Sequence, residues 1–301
     1  MSRSVVVTGA SSGIGQATAL LLAGAGYEVF ATVRSEEKGD KLRAEAEEKA
    51  TGKRLRTPVL DVTDTAQCAE VFADIAERTG GGPWAVVNNA GTALPGAIED
   101  VDEEQARRLM AVNLHAPAHI ARLVLPAMRR RGDGRILNVS SVAARSVMPF
   151  AGWYSASKAG VSALTHALRM EAAPWGVRVV LVEPGFHASD MLSNAADAFE
   201  RRDSSCSRYT DCYRAAARSL RDSSRFPAPE KAAQAIHRIL VTPRPRARYA
   251  LGTDARVGVR LDALVPYAVS DRVKSAASGL SPSVSGLEGL MARVSGVHRR
   301  P

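Results

Sequence analysis

The chain has 301 residues, of which 46% are hydrophobic and 24% charged, the proportions of a soluble globular protein long enough for one large α/β domain and its core. No apolar run reaches the roughly 20 residues of a membrane span, which excludes a transmembrane helix. The net charge of +9 raises nucleic acid as a partner, but the basic residues are spread along the chain in small clusters (129–131, 244–248, 299–300) without interleaved aromatics or zinc-finger spacing, so no nucleic-acid partner is expected.

From Met1 the chain goes almost directly into the apolar stretch 4–8, so no signal peptide is expected. Cys68, Cys206 and Cys212 form no C-x-x-C pair, which suits a reducing cytoplasm and argues against a disulfide framework. Runs rich in Val, Ile and Leu at 4–8, 28–33, 55–60, 84–88, 135–140 and 177–182 predict strands. Between them, 15–25, 36–50, 65–79 and 103–128 carry helical periodicity. Pro117 predicts that the last of these is two helices, or one that breaks. Strands alternating with helices imply a doubly wound parallel sheet covered on both faces, a three-layer α/β/α arrangement with ligands at the carboxyl ends of the strands. After Pro184 and Gly185, residues 186–228 are polar, Arg/Ser-rich and helical, and read as a cover inserted over the site. A helix is expected at 232–240 and a last strand at 248–251. Residues 1–255 are thus expected to form one Rossmann-type catalytic domain. Residues 256–301 are expected to be an extension with a flexible tail, including a short amphipathic stretch at 287–294.

The turn after the first strand reads Thr8-Gly9-Ala10-Ser11-Ser12-Gly13-Ile14-Gly15. Glycines there permit a tight turn and let backbone N–H groups approach a pyrophosphate at a helix N-terminus. The second strand ends at Arg34, where dinucleotide folds place an acid for a ribose 2′-hydroxyl or an arginine for a 2′-phosphate. Arg34, with Ser11 and Ser12, therefore favours NADP(H) over NAD(H). Asp61 is placed to bond an adenine, while Asp64 or Thr63 suits a helix cap. Small residues at Asn88-Asn89-Ala90-Gly91 allow close cofactor approach, and the asparagines are suited to tie strand ends together. Tyr154 and Lys158 lie four apart, one face of a helix. An ammonium beside a phenol favours the phenolate, making the tyrosine a usable acid or base nearer neutral pH. His115 and His119 also lie four apart, but no third ligand is evident and no metal is expected.

Together, T-G-x-x-x-G-x-G at residues 8–15, Asp61-Val62, residues 88–91, Asn113, Ser141, Tyr154/Lys158 and Pro184-Gly185 resemble the short-chain dehydrogenase/reductase family over residues 4–191. Runs at 31–34, 125–132 and 148–150 resemble its hydroxysteroid and retinol dehydrogenase branch. The resemblance implies an oxidoreductase interconverting a ketone and a secondary alcohol. Tyr154 would be its acid/base, Lys158 would lower the Tyr154 pKa and hold the nicotinamide ribose, Ser141 would bond the substrate oxygen, and Asn113 would fix a water beside the lysine. Strand alternation points Ser140 to the other face. Pro184 and Gly185 would lie under the nicotinamide, with Ser189 bonding its carboxamide. Gly9, Ser11, Ser12, Gly13, Ile14, Gly15, Arg34, Asp61, Val62, Asn89, Ala90 and Gly91 would hold the rest of the cofactor.

Ala143, Met148, Phe150, Trp153 and Met191 flank the implied centre and suggest a hydrophobic substrate, steroid-, polyketide- or retinoid-like. His187 stands where the family commonly has an apolar residue, which leaves open whether it faces substrate or is a partly exposed loop histidine. Arg201, Arg202 and Arg208 read as solvated helix charges or as recognition for an acidic group. A homodimer or homotetramer is expected by analogy with relatives. An epimerase or dehydratase retaining its cofactor is the competing chemistry, and an NADP(H)-sensing protein the non-enzymatic alternative.

Overall fold

The computed structural model describes residues 3–203, 207–222, 226–252 and 264–280. Cys206 and the expected amphipathic stretch at 287–294 lie outside them.

The first strand, β1 (Ser4–Val7), is buried along its whole length, as expected of a central strand with helices on both faces. Its end passes through the glycine turn into α1 (Gly13–Gly24), which returns the chain to β2 (Glu28–Ala31). Then come α2 (Glu36–Glu48) and β3 (Leu55–Arg56). The predicted strand at 55–60 is cut short: beyond Arg56, pairing with the second strand continues as a single bridge, Val33 with Val59. Pro58 has no N–H to contribute, which interrupts the ladder on what is the sheet's edge.

Helix α3 (Thr65–Arg78) starts at Asp64, whose carboxylate accepts from the N–H groups of Ala66 and Gln67, as preferred at a helix N-cap. It leads to β4 (Ala85–Asn88). The long stretch predicted at 103–128 is α4 (Glu103–Met110), a π turn at Ala111–His115, and α5 (Ala116–Arg131). Pro117 does not break it, because it falls in the first turn of α5, where a missing N–H costs little. The irregularity is the π turn just before it.

After β5 (Gly134–Val139) comes α6 (Gly152–Ala172), carrying Tyr154 and Lys158, and then β6 (Val177–Pro184). Residues 186–228 contain α7 (Asp190–Asp203) and α8 (Thr210–Arg221). These are tied together by Arg221, which bonds Asp197 and Glu200. Helix α9 (Glu230–Val241), strand β7 (Arg248–Leu251) and α10 (Tyr267–Ala277) follow.

The seven strands form one parallel sheet in the order β3-β2-β1-β4-β5-β6-β7. Val5, Val7, Val29 and Val180 pack on one face with Leu22, Ala23 and Ile236 of α1 and α9. Val6, Phe30, Val86 and Ile136 pack on the other with Phe72, Ile120 and Val124 of α3 and α5. Each large side chain so buried contributes about 1.5–3 kcal/mol. This is the three-layer, doubly wound Rossmann arrangement. Strands are added leftward from β1 to β3 and rightward from β4 to β7, so the order switches between β1 and β4, the place where such sheets bind ligands in a crevice at the carboxyl ends of the strands.

Candidate active site

The glycine turn is shaped by what it must avoid. Gly9 has φ +65, and a Cβ there would lie 2.7 Å from the Ala90 Cα. A Cβ on Gly15 would lie 2.4 Å from the Gly9 oxygen and from Asn89 Nδ2. Asn89 Nδ2 donates to the Thr8 and Gly9 carbonyls at 3.0 Å each, and the backbone N–H groups of Asn89 and Ala90 donate to Thr8 Oγ1. The ends of β1 and β4 are thereby stitched together.

Ser12 precedes α1 without a side-chain cap bond, and the first turn holds no acid. The first N–H groups of the helix thus have no protein anion at their end, as an anion-binding helix start requires. Ser11 and Ile14 flank this start, Ile14 packing onto the core. Gly13 has φ +57, and a Cβ there would reach 2.8 Å from the Ser189 Cβ. Ser189, beyond Pro184 and Gly185 at the end of β6, is therefore folded onto the turn.

Arg34 is exposed just beyond β2. Asp61 accepts from the N–H and hydroxyl of Thr63. The Thr63 backbone bond, with Arg34 and Arg108 adding smaller effects, holds the Asp61 carboxyl below its usual range. Val62 is buried beside Thr8, Asn88 and Ala90. A fully buried Asn88 donates to Asn138 on β5, which donates to Thr165 on α6.

At the far side of the crevice stand the residues singled out for chemistry. Tyr154 and Lys158 lie one turn apart on α6, with Lys158 Nζ 5.9 Å from the Tyr154 ring centre and donating to the Val139 carbonyl at 3.0 Å. Ser141 follows β5, accepts from the Ala143 N–H at 3.2 Å and lies close enough to the Tyr154 phenol to lower its pKa. Its neighbour Ser140 points away, donating to the Lys158 carbonyl on the buried side. The π turn carries Asn113 inward, a frequent use of such bulges at functional sites. Asn113 accepts from the Thr92 N–H and donates to Thr92 O and to Ser157 Oγ. A Cβ on Gly91 would lie 3.3 Å from Lys158 Nζ and 3.4 Å from Asn113 Oδ1. Gly91 therefore leaves the space in which the lysine and asparagine meet.

Electrostatics correct one expectation. Burial raises the Tyr154 pKa above its ordinary 10.0, and the Ser141 hydrogen bond offsets that in part. Burial also pushes Lys158 down to about 8. In the chain by itself, desolvation is the largest effect on both groups. The lysine carries a further consequence. Its folded pKa lies below its ordinary 10.5, so between about pH 8 and 10.5 the unfolded state holds a proton that the folded state has released, and stability rises with pH. Thermal unfolding across that window should show the wild type gaining on Lys158→Met as pH rises. Parallel curves would contradict the buried-lysine assignment.

The flanking residues divide. Ala143, Met148, Trp153 and Met191 are partly exposed. Phe150 is instead buried in a separate apolar cluster with Phe199 and Tyr213. His187 is not a partly exposed loop residue: it is 7% exposed, with Nδ1 3.0 Å from the Gly185 carbonyl. His115 is exposed and His119 half-buried, and no metal-ligating cluster occurs among the described residues. Arg202 is not a solvated charge either. It bonds the Pro95 and Asp100 carbonyls and Gln105. Ser157, which accepts from Asn113 and donates to the Tyr154 carbonyl at 2.7 Å, was not singled out from the sequence. Its place in the turn between Tyr154 and Lys158 was the available signal. No helix among the described residues is long and apolar enough to cross a membrane.

The family model for short chain dehydrogenases matches residues 3–199. Estradiol 17-beta-dehydrogenase 2 from Rattus norvegicus is 37% identical over 194 residues, covering 64% of the chain but 50% of that relative, in line with the branch resemblance. A short-chain dehydrogenase from Streptomyces avermitilis superposes with TM-score 0.74 at 31% identity, covering 93% of the chain and 98% of that structure. An actinorhodin polyketide ketoreductase solved with NADPH superposes with TM-score 0.71 at 29% identity, covering 83% and 95%. The chain belongs to the short chain dehydrogenase family and is an oxidoreductase of that family.

Proposed function

We propose that the chain is an NADP(H)-dependent reductase or dehydrogenase interconverting an apolar ketone and its secondary alcohol. The observation that carries this reading is that Ser141 acts on the Tyr154 phenol, Lys158 stands one turn on, and the Lys158 amine lies beside Gly91, next to the Ala90 that packs on Gly9 of the glycine turn. The likeness to a ketoreductase solved with NADPH supports it.

The residues present fit a dinucleotide. The uncapped start of α1 suits the pyrophosphate, and a side chain at Gly9, Gly13 or Gly15 would fill the cradle. Asp61 and Val62 are assigned to the adenine side, Asn89, Ala90 and Gly91 to the floor, and Pro184, Gly185 and Ser189 to the nicotinamide end. NADP(H), when bound, supplies or takes the hydride. In the reducing direction Ser141 and Tyr154 donate hydrogen bonds to the substrate oxygen as it gains negative charge, and Tyr154 gives it a proton. Below about pH 8 Lys158 carries its proton in the larger part of the molecules, and its ammonium is assigned to stabilise the phenolate left behind. Asn113 holds Thr92 and Ser157 in place around the lysine and is assigned the ordering of a water through which the proton is replaced. Ala143, Met148, Trp153, His187 and Met191 are assigned to the substrate wall.

Arg34 is assigned the 2′-phosphate, since no acid stands at the end of β2 to bind a free hydroxyl. Arg34→Leu should lower the preference for NADPH over NADH by about tenfold or more, the worth of a charge-assisted hydrogen bond. An unchanged ratio of kcat/KM values would reject that assignment. The proposed reaction as a whole is tested by NADPH consumption with a panel of apolar ketones. Turnover confined to anionic or sugar substrates would reject the apolar cleft. Exposed Leu164 and Met170 on α6 support self-association through α5 and α6 as a homodimer or homotetramer, and a cytoplasmic enzyme fits the cysteine usage.

A further inference from the structure

Helices α7 and α8 are attached to the site by a polar knot that no local motif announces. Tyr213 of α8 is fully buried, yet it is not purely a packing residue. Its hydroxyl donates to Asp100 Oδ2 and accepts from the Ala97 N–H at 2.8 Å. Ser207 Oγ donates to the same carboxylate oxygen at 2.6 Å, and the Tyr209 hydroxyl donates to Glu99 at 2.7 Å. From α7, Arg202 Nε donates to the Pro95 carbonyl at 2.8 Å, and its other nitrogens reach Asp100 O and Gln105 Oε1. A Cβ on Gly96, at φ +147, would fall 2.8 Å from Arg202 Nε. The loop after β4 is thus shaped around that guanidinium.

The same knot reaches the catalytic loop. The Phe150 ring lies 5.2 Å from Tyr213 and 5.4 Å from Tyr209. Phe150 is held at φ +66, uncommon for a bulky residue, and its carbonyl accepts from the Gly96 N–H at 2.8 Å. It precedes Tyr154 by four residues in the chain. A phenylalanine at 213 would fill the same space without burying a hydroxyl. The hydroxyl adds direction: it fixes where the cover sits on loop 95–100, and through Phe150 where loop 142–151 sits beneath it.

We propose that Tyr213 and Asp100 are positioning residues that latch the α7–α8 cover onto both loops flanking Tyr154, and so set the shape of the substrate cleft. The cleft part of this proposal rests on the reductase reading above; the latch itself does not. Two variants, Tyr213→Phe and Asp100→Asn, keep volume and shape and are compared with wild type in two measurements. In hydrogen exchange on the cofactor-free protein, amides of α8 and of 95–101 should exchange faster in both variants, with the strands unchanged. In steady-state reduction of α-tetralone by NADPH, KM for the ketone should rise about tenfold, with kcat and NADPH affinity nearly unchanged. Unaltered exchange in α8, or faster exchange with an unmoved KM, overturns the proposal. So does an equal loss in kcat, NADPH affinity and strand protection, which is the signature of general destabilisation. A wild type that reduces no ketone counts against the proposed reaction, and the exchange measurement then decides the latch.

Discussion

Tyr154→Phe should lower ketone turnover by about a hundred- to ten-thousandfold, the worth of a positioned general acid, while NADPH still binds. The ring packs as before and the fold has no reason to change. What disappears is the hydroxyl beside Ser141 to which the proposed reaction assigns the proton given to the substrate oxygen. Lys158 keeps its bond to the Val139 carbonyl and its place beside Gly91 and Asn113, so the cofactor end of the crevice is intact. Fluorescence titration with NADPH beside steady-state kinetics separates the two roles. Turnover near wild type in this variant would remove Tyr154 from the mechanism.

Gly15→Ala should abolish NADPH binding and cost the fold about 1–3 kcal/mol, the usual range for overpacking. The added methyl would stand 2.4 Å from the Gly9 carbonyl oxygen and 2.4 Å from Asn89 Nδ2. Neither can yield cheaply. The Gly9 carbonyl belongs to the backbone of the turn, and Asn89 Nδ2 holds Thr8 and Gly9 together across β1 and β4. The start of α1 would be pushed away from the turn, taking with it the uncapped N–H groups proposed to bind the pyrophosphate. Calorimetric unfolding and NADPH titration together check this. A variant that unfolds like wild type and binds NADPH as tightly would show that the turn has more room than the geometry allows.

Much of the fold was legible because its strands are short, Val-rich and buried on both faces, a pattern that local sequence carries by itself. The glycine turn was legible for a similar reason: its residues act within a few positions of one another. The misses have physical causes. Pro58 ended β3 early because a missing N–H outweighs β propensity at an edge strand. Pro117 looked like a break, but the helical run had already absorbed its irregularity in the π turn that carries Asn113. For His187 the sequence left two readings open, and the structure buries it with its ring against the Gly185 carbonyl. The lysine beside Tyr154 was legible as a neighbour four residues on, but not the burial that dominates both groups. The Tyr213–Asp100 contact spans 113 residues, and nothing in either local sequence marks it.

Tyr154, Ser141 and Lys158 acting on a carbonyl beside NADPH imply net transfer of hydrogen to carbon. This is read most directly with NADPH deuterated at the transferable position of the nicotinamide and α-tetralone as substrate. Deuterium should appear at the carbinol carbon of the product, in one mole per mole of NADPH oxidised. An alcohol without deuterium, or a retained nucleotide that is never consumed while substrate is epimerised or dehydrated, would contradict it.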